Sequence, residues 1–373
     1  MTVVAAAQQP RLALDHAALA ARIVRQLALK PGERVLIVAH PGMMEMLIPQ
    51  IRYEVMRVGG LDLGAVLVPP IPLRTTWDRA VFDRATHEAR SAYKTMFRDV
   101  DAAIMMPGAT PADAAYAAMQ DWLHEGHGRT VHFHWLENGS AYPLPGQPLP
   151  AEATIDAVYQ RAVLDTDYEK LAAVQRRFAD AIRGQEIRIT SPGGTDLRFR
   201  IGDRAINLQD GDASAARASR AKVLVDREIE IPAGVIRVAP IEESVDGTIA
   251  FPPSQWDAQP VDGLKLTFAK GKVTEVAATF GRAAVDAELK RAGDAGRGFR
   301  EFALGFNPLL AVPERSPWIP YYGYGAGVVR LSLGDNSELG GAVGGGYVRW
   351  NFFTDLTVTV GATTWVRDGR LLM

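Results

Sequence analysis

Two short runs near the end of the chain hold the residues with the most distinctive chemistry. GVVRLSLGDN contains Arg330, and GGAVGGGYVRWN contains Arg349 and Asn351. A guanidinium is cationic at any physiological pH and has no lone pair for a metal, and the neutral Asn351 carbonyl is a weak ligand. Such a set repels a divalent cation and favours an anion, because the guanidinium fork matches a carboxylate. Arg330 and Arg349 are therefore expected to hold a carboxylate by bidentate hydrogen bonds. Trp350 lies between Arg349 and Asn351, and SPWIPYYGYG (316–325) adds Trp318, Tyr321, Tyr322 and Tyr324. Aromatic rings with a polar tip suit peptide interfaces. Taken singly, each ring is better explained by packing its own loop.

Other chemistry is limited by where the residues fall. Nothing after His134 is a histidine or a cysteine, so a metal site in the second half would need oxygen ligands; Glu242, Glu243 and Asp335 are the candidates. His132 and His134 in VHFHW are two apart, which puts both imidazoles on one face of a strand and would suit a metal if a third ligand converged. The blander expectation is a polar strand end at the lip of a sheet. HEGH (124–127) contains Gly126 and reads as a helix terminus rather than a two-histidine zinc helix. GGAVGGGY lacks the lysine and following helix of a phosphate loop, SPGGTD (191–196) reads as a hairpin turn, and no serine sits in a GxSxG elbow.

These residues must be positioned by a chain that alternates, over its first part, between short apolar runs and amphipathic stretches. That pattern predicts βαβ units on a mainly parallel sheet, a doubly wound α/β domain over residues 1–141. Helices are expected over 16–29, with Asp15 as N-cap, and over 43–58 and 111–125; strands over 34–39, 63–68, 102–106 and 130–135. PPIP (69–72) reads as a break. PLPGQPLP (143–150) marks a proline-rich linker, placed at 142–164. From 165 onward a helix over 165–183 and another over 282–291 accompany many short strands, which predicts a mixed, β-rich, barrel-like second domain to residue 373.

The chain has 373 residues, 47% of them hydrophobic, with a formal net charge of -2 and a pI near 6.4. No basic face is implied for nucleic acid or an anionic membrane, no apolar run reaches the ~20 residues of a membrane span, and the N-terminus does not read as a signal peptide. With no cysteine, the chain cannot form disulfides or thiolate sites, which fits a cytoplasmic setting.

The runs IEIPAGVIRVAPIEESVDGTIAF, FREFALGFNP, GVVRLSLGDN, YVRWN and WVRDGRLL, with KPGERVLI near the start, resemble in order and spacing the thermophilic-type metallo-aminopeptidases of the aminopeptidase T group and their relatives, the dihydroxypyridine dioxygenases. Pro240, Gly247, Gly305, Asn307, Pro308, Gly334, Asp335 and Gly369 match the family frame. The resemblance implies metal ligands where this chain has Val235, Glu301, Arg330, Arg349 and Asn351, and only Glu301 keeps a ligand's chemistry. It thus implies a frame without metal or cofactor, in which Glu301 is an ion-pair partner holding one or both guanidiniums. Degenerate members resemble the peptide-binding proteins of the crocagin pathway. The implied role is non-catalytic: binding a ribosomally made precursor peptide, with Arg330 and Arg349 clamping its C-terminus or an acidic side chain, and presenting it to modifying enzymes of the same pathway, as a homodimer by analogy with the resembled enzymes. Two alternatives stand beside it: an aminopeptidase or ring-cleaving dioxygenase with relocated ligands, and a metal-free lyase or cyclase using Glu301 as base.

Overall fold

The protein is described by a computed structural model covering residues 13–68, 79–109, 113–136 and 139–372. The expected break at 69–72 lies outside the described residues. In the first half, apolar runs become four parallel strands in the spatial order Leu61–Leu67, Arg34–Ala39, Ala102–Met105, Thr130–Phe133. The helix His16–Leu27 starts where Asp15 accepts a hydrogen bond from the Ala18 N–H, and it buries Leu19, Ile23, Val24 and Leu27. Helices Leu47–Arg57 and Ala114–His124 are shorter than their periodicity suggested. Arg79–Phe97 is a helix that polar composition concealed.

Residues 142–164, expected as a linker, are structured. Tyr142–Pro143 pairs with Trp318–Ile319, and Glu152–Leu164 is a helix that buries Ile155, Tyr159, Ala162 and Val163. Those side chains belong to the same apolar cluster as Leu19, Ile23 and Val35, so the helix closes the first core rather than tethering a second. The fifth strand of the parallel sheet, Glu228–Ile231, comes from the second half of the chain and pairs with Thr130–Phe133.

The second half is mixed and β-rich, but most of its strands form two large sheets instead of a barrel. One has eight strands; the other has six, including Val235–Val238, Phe299–Gly305 and Val329–Gly334. Ile187, Phe199, Leu266 and Val358 from the first sheet and Val238, Phe302 and Leu331 from the second share one core with Phe178 of the helix Tyr168–Ile182. Burying each large apolar side chain contributes on the order of 1.5–3 kcal/mol. SPGGTD forms the turn between Ile187–Thr190 and Asp196–Phe199, as its composition predicts. No helix among the described residues is long and apolar enough to cross a membrane.

Candidate functional site

Strand register brings the charged residues together. Arg237, Ala303 and Arg330 stand abreast on three neighbouring antiparallel strands, with Glu301 two residues before Ala303 on the same face. The small Ala303 leaves space for a guanidinium on either side. Arg330 Nε donates to Glu301 Oε1 at 2.8 Å, and Ser332 Oγ donates to the same oxygen at 3.2 Å. Arg237 Nε donates to Glu301 Oε2 at 3.1 Å, and its Nη2 reaches Glu338 Oε1 at 2.6 Å. Arg300 donates to the same Glu338 oxygen. Glu301 is fully buried. Burial alone would raise its carboxyl, but Arg237, Arg330 and Arg300 outweigh that and hold it well below the usual carboxylate range.

This cluster forms one wall of a cavity of about 390 Å³. The opposite wall is the parallel sheet, where alternation sends Val131, Phe133, Ile229 and Ile231 into the core and turns His132, Glu228 and Glu230 the other way. His132 Nδ1 lies 3.0 Å from Glu228 Oε1, which also accepts from Tyr116 at 3.1 Å, while Gln120 donates to Glu228 Oε2 at 2.6 Å. The rings of His132 and His134 lie 3.8 Å apart. Burial, then the neighbouring imidazoles, lowers both to about 3, so they are neutral at physiological pH.

Tyr322, Tyr324, Tyr142 and Trp350 complete the lining. The loop carrying the first two is held by backbone contact: a Cβ on Gly305 would lie 2.0 Å from the Gly325 carbonyl oxygen, and one on Gly325 would lie 1.9 Å from that of Leu310. Tyr321 and Tyr322 both adopt positive φ, 37° and 49°, an arrangement that costs of order 1–3 kcal/mol per residue and persists only where surroundings dictate it. Here the Tyr321 N–H donates to Tyr159 Oη at 3.1 Å and the Tyr322 N–H to the Ser140 carbonyl at 2.9 Å.

Of the residues singled out from sequence, Arg330, Tyr322, Tyr324, Trp350 and the pair His132 and His134 line this cavity, and Glu301 lies directly behind it. Arg330 is 3% exposed, its guanidinium lies 4.9 Å from the Trp350 ring centroid, and its Nη2 has no hydrogen-bond partner. Arg349 and Asn351 do not join it. Alternation turns Val348 and Trp350 to the cavity, and Arg349 instead pairs with Glu288 at 2.8 Å, donates to the Gln255 carbonyl and stacks over Trp256. Asn351 accepts from Arg349 Nε and donates to the Leu331 carbonyl. The guanidinium that shares Glu301 with Arg330 is thus Arg237, not Arg349. Trp318 and Tyr321 are buried in the first core.

The expected preference for an anion also changes. Arg237, Arg300 and Arg330 on the lining are matched there by Glu228, Glu230 and Glu338, with Glu301 behind, so the cavity carries no cationic excess. Sequence reading passed over Glu228, Glu230 and Arg237. Their signal was a charged residue inside otherwise apolar runs, EIEI and VIRV, which a buried strand tolerates only when the charge is paired.

Residues 154–309 match the family described as thermophilic metalloprotease (M29). Across nearly its whole length the chain shares the fold of two solved structures. One is 2,5-dihydroxypyridine dioxygenase from Pseudomonas putida KT2440, at TM-score 0.65 and 13% identity, covering 96% of each chain. The other is AmpT from Thermus thermophilus, at TM-score 0.64 and 16% identity, covering 96% of this chain and 99% of that one. No curated protein matches this chain.

The description of the matched family implies a metal, and the residues here do not fit one. Val235 is apolar, Arg330 is a cation, and both Glu301 oxygens are taken by guanidiniums and Ser332. Among the described residues, no group of three or more histidines and carboxylates could hold an ion. The candidates Glu242 and Asp335 are engaged elsewhere: Glu242 with Arg204 and Asn336, and Asp335 with Ser337. Nor can Glu301 act as a base, since its depressed carboxyl is shut behind two arginines.

The Glu228 carboxyl is raised from 4.5 to about 7, chiefly by burial and then by the charge of Glu338, against the hydrogen bond from Gln120. Because the folded state holds this proton more tightly than the unfolded chain, its stabilising contribution is complete below pH ~4.5 and is lost as pH rises through ~7. Wild type should therefore lose up to about 3 kcal/mol relative to Glu228→Gln between pH 4.5 and 8. Urea midpoints across that range would show the slope; parallel profiles for the two proteins would refute it.

Proposed function

We propose that this protein holds a peptide in the cavity between its parallel sheet and its six-stranded sheet, without hydrolysing it, and presents it to a partner enzyme. The observation that carries this reading is the Arg237–Glu301–Arg330 cluster, which fills a metalloprotease-type frame with paired charges where ligands would have to converge. The cavity volume suits a segment of a few residues. Its aromatic rim provides contact area, and Trp350, 38% exposed, is the most accessible ring in it. The general role of holding a precursor peptide for modifying enzymes, and the expected homodimer, belong to this proposal.

The test uses protein stripped with EDTA and a library of N-acetylated, C-amidated tripeptides. Binding should persist after stripping and weaken about tenfold or more in Trp350→Ala, a change that leaves the Glu301 cluster intact. Cleavage of the corresponding unblocked tripeptides that appears on adding zinc or cobalt would overturn the reading, as would the absence of any binding.

A further inference from the structure

Two sets of unpartnered polar atoms face each other across the cavity. On one side are His132 Nε2 and His134 Nδ1, on rings only 4% and 9% exposed, and neither atom has a hydrogen-bond partner. On the other is Arg330 Nη2, equally buried and equally without one. Tyr322 spans the gap: its ring meets His134 at a centroid distance of 5.1 Å, and its carbonyl accepts from Arg330 Nη1 at 3.3 Å. Leaving buried donors and acceptors unmatched costs ~1–3 kcal/mol each, and a group that completes them recovers that.

The polarity of each atom follows from its neighbours. When Glu228 is ionised it accepts the Nδ1 proton of His132, which fixes the other ring nitrogen, Nε2, as an acceptor. Arg330 Nη2 can only donate. One wall therefore wants a donor and the other an acceptor. With Glu228 ionised, the carboxylates of Glu228, Glu230, Glu301 and Glu338 outnumber the guanidiniums of Arg237, Arg300 and Arg330, so an added carboxylate would meet a negative surplus that a neutral amide does not.

We propose that His132 Nε2 accepts a backbone N–H, and Arg330 Nη2 donates to a backbone C=O, of one extended internal peptide segment. The cavity would thus read secondary amides rather than a C-terminal carboxylate. This rests on the cavity being a peptide holder, as above.

The experiment compares N-acetylated, C-amidated tripeptides with depsipeptide analogues in which each internal amide N–H in turn is replaced by an ester oxygen, at pH 8. Wild type should prefer the amide by about fivefold to tenfold at one position. His132→Asn places an amide nitrogen near the Nδ1 position and can keep the Glu228 contact, but it removes Nε2; the preference should vanish. His132→Gln, whose longer side chain restores a polar atom near Nε2, should recover part of it. The ratio is internal to each variant, so a general loss of stability does not move it. Equal binding of amide and ester by wild type, or an unchanged ratio in His132→Asn, would overturn this inference while leaving the holder reading in place. Failure of wild type to bind either compound would remove both.

Discussion

Glu301→Ala should destabilise the protein by about 3–5 kcal/mol, because it strands the buried Arg330 guanidinium and takes from Arg237 one of its two carboxylate partners. Arg237 and Arg330 are 5% and 3% exposed and meet on the two oxygens of this one carboxylate. Arg237 keeps Glu338, but Arg330 would retain only the Tyr322 carbonyl at 3.3 Å and the Trp350 face. The account also predicts non-additivity. Replacing Arg237, Glu301 and Arg330 together with Met, Leu and Met should cost far less than Glu301→Ala alone, since an apolar set of similar volume has no charge left unpaired. Urea unfolding of both variants checks this. A loss below about 1 kcal/mol for Glu301→Ala would mean that water reaches the arginines and that the cluster is not the rigid wall described here.

Trp318→Ala should cost a further ~3–5 kcal/mol by a different route, cavity formation. Its ring is 1% exposed, lies 6.3 Å from that of Tyr159, and belongs to the first apolar core. Tyr159 in turn accepts from the Tyr321 N–H and so supports the strained tyrosine loop. The residue had been expected to touch a peptide. The structure instead predicts that, well below its lowered melting temperature, the variant binds blocked tripeptides within about twofold of wild type. A large loss of affinity with little loss of stability would return Trp318 to the binding surface.

Much of the first half was legible because burial imposes a period. RVLIVA could only be a strand shielded on both faces, and Asp15 followed by leucines and isoleucines at helical spacing could only open an amphipathic helix. Where composition and tertiary context disagreed, composition misled. The prolines of PLPGQPLP suggested a tether, yet the helix that follows buries Tyr159 completely.

The site was half legible. Arg330 stood out by its cationic chemistry and Glu301 only through the family resemblance, and the phase of YVRWN could not be read from a run so short. A one-residue change of phase decides whether Arg349 or Trp350 faces the cavity. The two imidazoles were legible as one face of a strand, but their partner was hidden for another reason. His132 gains its meaning from Glu228, a residue 96 positions later that returns to pair beside it, and no local pattern announces such a pairing.

The claim beneath all of this is that Glu301 is committed to the guanidiniums of Arg237 and Arg330 and leaves no carboxylate there for a divalent ion. Anomalous diffraction at the zinc edge, from crystals grown in excess zinc, tests it directly. The account predicts no zinc peak within coordination distance of Glu301, with Arg330 and Arg237 still on its two oxygens. A zinc ion bound to Glu301 with the Arg330 guanidinium swung aside would contradict it.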